Sequence, residues 1–77
     1  MSAYANDFGD TLRYMDKLCS QNDAKACFSI GNWYYQGDGV EQNLQKAKDY
    51  YKKACDKNFA AGCGMLGSFY EENKNLK

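Results

Sequence analysis

The 77-residue chain has room for one small domain, and a domain of this size buries a modest core that usually needs a staple, a metal or a partner. Ten basic and ten acidic residues cancel and histidine is absent, which argues against nucleic acid as a partner and removes both the usual general base and the commonest zinc ligand. No apolar run approaches the roughly 18 residues that a membrane helix requires.

Near the start, Ala3-Tyr4-Ala5 has the A-x-A form of a signal-cleavage site, although no charged and apolar region precedes it. Phe8, Leu12, Met15 and Leu18 then step by three or four, the spacing of one helix face, and predict a helix over 7–20. Ala24, Cys27, Ile30, Gly31 and Tyr34 form a second stripe and predict a helix over 23–36. GDGV at 37–40 supplies glycines for a turn, and Asn43 is placed to cap the helix that follows. Leu44, Ala47, Tyr51 and Ala54, widened by Tyr50, predict that helix over 43–57, its interleaved lysines and aspartates forming a solvated face. Ala60, Cys63, Leu66, Gly67 and Tyr70 predict a fourth helix over 59–72, and Asn73-Lys74-Asn75 stands where another turn is expected. Gly31 and Gly67 fall on the predicted buried faces, where a missing side chain permits close helix approach.

A shift of 36 residues superimposes Tyr14 on Tyr50, Lys17 on Lys53, Asn22 on Asn58, Gly31 on Gly67 and Tyr34 on Tyr70. A period of this length marks a stacked-repeat architecture, here an all-α chain of antiparallel hairpins. It divides into a half repeat (7–20), a full repeat (23–57) and a second half repeat (59–72), all within one domain.

The same shift carries Cys19 and Cys27 onto Cys55 and Cys63. Each pair brackets a helix-to-helix turn, where an antiparallel hairpin brings Cα atoms within the roughly 5–6 Å that a disulfide needs. Two bridges closing short loops would contribute roughly 5 kcal/mol, comparable with the whole stability of such a domain. They would also imply an oxidising compartment. Zinc held by four thiolates and four reduced core thiols are the other readings; the C-x7-C spacing departs from the C-x2-4-C zinc knuckle.

Ala24, the Ile30-Gly31 pair, Tyr34, the Gly37-x-Gly39-Val40 turn, Ala47 and Lys53-Ala54 together resemble a Sel1-like repeat, the relative of the tetratricopeptide repeat. With the C-x7-C brackets added, the chain is similar to the Helicobacter cysteine-rich proteins over residues 8 to 72. The resemblance implies a secreted or periplasmic α-solenoid whose concave face is lined by the helices carrying the LG-type pair. It also implies an alternative, a penicillin-binding or weakly β-lactamase-active hydrolase.

The residues give the hydrolase little support. No serine opens an S-x-x-K motif, and no H-E-x-x-H, G-x-S-x-G or phosphate loop occurs. The expectation is therefore a non-enzymatic interaction module without metal or cofactor, whose partner is a protein or an extended peptide. Its candidate contacts are the outward stripe Lys25, Ser29, Asn32 and Gln36, with Met65 and Ser68 on the fourth helix. Apolar helix faces left open at the repeat ends further predict self-association.

Overall fold

The computed structural model describes the backbone of residues 3–75 and the side chains of residues 9–71. These residues form four helices and no strand: α1 (Ala3–Ser20), α2 (Ala24–Gln36), α3 (Leu44–Asp56) and α4 (Ala60–Asn75). Successive helices fold back on one another as antiparallel hairpins, with α2 and α3 sharing the most extensive contact. The body measures 48 × 26 × 13 Å.

The turn chemistry explains how the hairpins close. Asn22 and Asn58 adopt left-handed backbone, φ 76° and 69°, a conformation that asparagine tolerates better than most residues. After α1 the amide of Asp23 donates to Leu18 O at 3.0 Å and that of Asn22 to Cys19 O at 3.2 Å, the paired bonds of a Schellman turn. After α3 the same two bonds recur from Phe59 to Ala54 O and from Asn58 to Cys55 O, at 3.0 and 2.9 Å. The reversal brings Cys19 and Cys27 to a Cα separation of 4.8 Å and Cys55 and Cys63 to 4.5 Å, and both pairs are disulfide-bonded.

The two turns differ in one residue. Asp23 follows the first and caps α2, its carboxylate accepting from the Ala26 amide at 3.2 Å. The equivalent place in the second turn is Phe59, which has no capping oxygen and instead packs its ring 5.3 Å from that of Phe28. Between α2 and α3, Gly37 and Gly39 take φ 71° and 79°, and a Cβ on Gly37 would lie 3.1 Å from Cβ of Gln42. Asn43 caps α3 through a 3.0 Å bond from the Lys46 amide.

Cys19, Ala26, Cys27, Ile30, Ala47, Tyr51 and Ala54 are buried, with Leu12, Met15, Leu18 and Trp33 partly covered around them. Small residues set the helix spacing. A Cβ on Gly31 would fall 2.7 Å from the Tyr51 ring, so α3 lies directly against the α2 backbone. Gly62 does the same for α4, where a Cβ would meet Ala54 Cβ at 2.7 Å and Tyr51 O at 3.0 Å.

Three expectations are corrected. Leu44 is half exposed and lies outside the core. The helix continues through Asn73-Lys74-Asn75, because tolerance of a left-handed turn does not impose one and no glycine or proline interrupts the backbone. Gly67 is exposed with nothing within 4 Å of its would-be Cβ, and Ala60, Cys63 and Tyr70 are exposed with it. The inner face of α4 is instead Gly62, Met65 and Phe69, because α3 packs there and, among the described residues, no further helix covers the opposite side.

Two substitutions in α4 test this assignment. Gly62→Ala is expected to destabilise by about 1–3 kcal/mol through overpacking. Gly64→Ala, with nothing within 4 Å, is expected to stabilise by up to about 1 kcal/mol through helix propensity. Urea denaturation of the oxidised protein reads both. Burial also ranks the bridges: Cys19 and Cys27 are 2% and 0% accessible while Cys63 is exposed. Limited reduction followed by alkylation and peptide mapping should therefore open Cys55–Cys63 first.

Candidate protein-interaction surface

Helix α2 carries the predicted stripe at steps of four, three and four residues. Lys25 and Gln36 stand exposed at its ends, and Ser29 and Asn32 are half-buried between them. On α4, Ser68 is exposed and Met65 is half-buried. Asn32 is tied to the interior: the Tyr51 hydroxyl donates to its Oδ1 at 2.6 Å. The remaining Asn32 amide hydrogens make no bond among the described residues, so the side chain is fixed by its acceptor and keeps its donors available.

Tyr51 is the centre of an aromatic cluster that the sequence pattern did not assign to this surface. Its ring lies 5.5 Å from Phe28, 6.4 Å from Tyr35 and 5.9 Å from Phe69. Tyr35 and Phe69 meet edge to face at 5.6 Å, joining the C-terminal half of α2 to α4. The available signal was the adjacent aromatic pairs Tyr34-Tyr35 and Tyr50-Tyr51: two neighbours on a helix diverge by about 100°, so a pair supplies two separate faces.

The second faces of those pairs meet on the other side of α3. Tyr34 and Tyr50 stack at 6.0 Å with 13° between their planes. Lys46 Nζ lies 5.2 Å over Tyr34 and Lys53 Nζ 4.7 Å over Tyr50, so these lysines cover aromatic rings where the sequence predicted only a solvated face. An open depression of about 490 Å³ lies here, bordered also by Asp49, Lys52 and Asp56. The Lys52–Asp56 pair at 3.3 Å is exposed and contributes little. The Tyr50 hydroxyl reaches α1, donating to Asp16 at 2.7 Å.

Burial raises the pKa of Tyr50, with the Asp16 hydrogen bond and charge reinforcing the shift. Burial, helped by neighbouring Tyr35, pushes Tyr51 up to about 12. Both phenols are thus held neutral, as donors rather than bases. All four cysteines are oxidised, and no group of three histidine, cysteine, aspartate or glutamate side chains among the described residues is arranged to hold a metal ion.

Residues 24–59 match the family model of the Sel1 repeat, which covers the Asp23-capped helix α2, the glycine turn and α3. Sel1 repeats mediate protein–protein interaction. Two Helicobacter pylori proteins bearing the description "Putative beta-lactamase HcpC" are also similar. The one from strain J99 is 47% identical over 40 residues, which is 52% of this chain and 14% of that protein. The one from strain 26695 is 47% identical over 36 residues, 47% of this chain and 12% of that protein. The matched stretch thus spans about one-seventh or less of either relative.

The tyrosine environment gives a pH test. A phenol whose folded-state pKa exceeds its unfolded value of about 10 adds stability that is complete below that pH and is lost as pH rises through the folded value. For Tyr51 the loss runs from about pH 10 to about 12. Tyr51→Phe should cost about 1 kcal/mol at neutral pH by removing the bond to Asn32, yet lose less stability than the wild type above pH 10. Denaturant midpoints measured across this range check both.

Proposed function

We propose that this chain, with a Sel1 repeat at its centre, is an extracytoplasmic interaction module that holds an extended peptide segment of a partner protein along α2 and α4. The observation that carries this is Asn32. Its Oδ1 is locked by Tyr51 from beneath while its amide hydrogens have no partner among the described residues, in line with exposed Lys25 and Gln36. Amide donors held in place this way suit peptide carbonyl groups, since little freedom is lost on binding. Met65 and Ser68 on α4 supply the facing contacts, and Ser29 completes the stripe. The half repeats on either side of the full repeat serve to position these two helices side by side.

The disulfides are compatible with an extracytoplasmic setting, where such bonds persist. No described helix is long and apolar enough to cross a membrane. Placement in the periplasm or outside the cell is part of the proposal.

Hydrolysis of a β-lactam is the second reading, favoured by the printed description of the relatives. The residues of this chain lend it no nucleophile beside a base: its serines lack S-x-x-K and it has no histidine.

A peptide array probed with the oxidised protein, followed by titration of the best peptide, separates the two. Lys25→Ala combined with Gln36→Ala removes two exposed contacts and should weaken binding about tenfold or more without altering the fold. Asn32→Asp should weaken it further. Unchanged affinity in these variants, or absence of peptide binding together with many metal-free turnovers of nitrocefin, would overturn the proposal.

A further inference from the structure

The connection between α2 and α3 is fastened at its two ends and loose in its middle. On the α2 side the amides of Gly37 and Asp38 both donate to Trp33 O, at 2.8 and 3.0 Å. On the α3 side the Asn43 amide donates to Tyr34 O at 2.9 Å, and Gln42 Nε2 donates to Tyr35 O at 2.8 Å. Between these anchors the amides of Gly39, Val40 and Glu41 have no hydrogen-bond partner among the described residues, and neither has the Asp38 carboxylate. Asp38 and Gly39 are both exposed.

This loose stretch holds the only aspartate of the chain that is followed by glycine. The amide nitrogen after an aspartate stands close enough to attack that residue's own Cγ and close a five-membered ring, an intramolecular step favoured by proximity. Three things ordinarily oppose it: a hydrogen bond that holds the amide, a carboxylate engaged elsewhere, and a following side chain that crowds the nitrogen. None of them operates at Asp38-Gly39, where the next residue has no Cβ. Every other aspartate precedes a residue with a side chain. Asp10, Asp16 and Asp49 also lie inside helices, whose ladder binds the next amide, and after Asp56 the Lys57 amide donates to Lys53 O at 3.2 Å. Asp23 engages its carboxylate with the Ala26 amide at 3.2 Å.

We propose that Asp38-Gly39 is a self-modification site at which aspartate converts to isoaspartate. The Gly39 nitrogen forms a bond to Cγ of the protonated Asp38 side chain, whose hydroxyl leaves with the amide hydrogen as water. Water then adds to the cyclic imide. Addition at Cγ, with cleavage of the new C–N bond, restores aspartate. Addition at the former main-chain carbonyl cleaves the original peptide C–N bond, so that the chain runs through Cγ and carries a free α-carboxylate. One water leaves and one enters, and no oxidant or reductant takes part.

The product has one more methylene in its backbone. The bonds to Trp33 O, Tyr34 O and Tyr35 O lie outside the reacting peptide, so the added length is taken up within the loose stretch and the α2–α3 contact of Gly31 with Tyr51 keeps its register. The site is a slow chemical mark on an exposed loop, and its recogniser is an enzyme that methylates the α-carboxylate of isoaspartate. None of this uses the peptide reading.

The test is to hold the oxidised protein for weeks at neutral pH and body temperature. At intervals, isoaspartate is counted by methyl transfer from S-adenosylmethionine with purified isoaspartyl methyltransferase. It is located by digestion with an endoprotease that cuts before aspartate but not before isoaspartate. Methyl acceptance should climb with time, and resistance to cleavage should arise at position 38 alone. Asp38→Glu, whose closure needs a six-membered ring, should lose nearly all of the acceptance. Asp38→Ser, which has no carboxyl group, gives the same readout if the glutamate variant folds poorly. Complete cleavage at position 38 after the full incubation, isoaspartate spread over several aspartates, or acceptance that persists in the variants would each overturn the proposal.

Discussion

The ring of Tyr51 resting on the bare backbone of Gly31 is the contact on which the arrangement of helices depends. It fixes how closely α3 approaches α2, and the opposite edge of the same residue offers its carbonyl to the close approach of Gly62 on α4. A side chain at either glycine would push a helix outward by more than packed cores tolerate. With the ring so placed, its hydroxyl reaches Asn32, and Phe28, Tyr35 and Phe69 assemble around its faces. The candidate surface is thus the outer side of a single buried phenol, and its best-placed polar group is held by that phenol.

The disulfides act on a different part of the problem. Each clamps a Schellman reversal that already brings its Cα atoms close, so the bond costs the native backbone little rearrangement while it restricts the unfolded chain. Where the first turn adds a capping carboxylate from Asp23, the second offers the ring of Phe59 to the aromatic cluster. One hairpin is secured by polar and covalent means, the other by covalent and apolar ones.

Much of this was legible in the chain itself. The cysteine brackets, the glycine turn, the Asn43 cap and the contact at Gly31 all depend on neighbours close in sequence or one helix away, and the repeat pattern encodes such neighbours directly. Gly67 shows the limit. Its register predicts a helix above it, but a pattern of positions does not state what covers a face, and among the described residues nothing lies within 4 Å of a Cβ there. Gly62 escaped notice because its counterpart Ala26 is also small and buried, so the period marked nothing unusual. The aromatic side of Lys46 and Lys53 was hidden for another reason: a long side chain on an exposed face can fold back over a ring, and only the ring's own position decides whether it does. Of the surface proposed to bind, the stripe on α2 was visible from helical spacing, while the link from Asn32 to Tyr51 crosses two helices and leaves no local trace.

Among the described residues, the thinnest dimension of the body, 13 Å, is filled by two helix layers, since axes about 8–10 Å apart plus two backbone radii already span it. Burial among these residues is confined to the contacts between successive helices, and whatever leaves those contacts emerges into water. A slab of this kind presents, among the described residues, long open flanks to whatever lies alongside it.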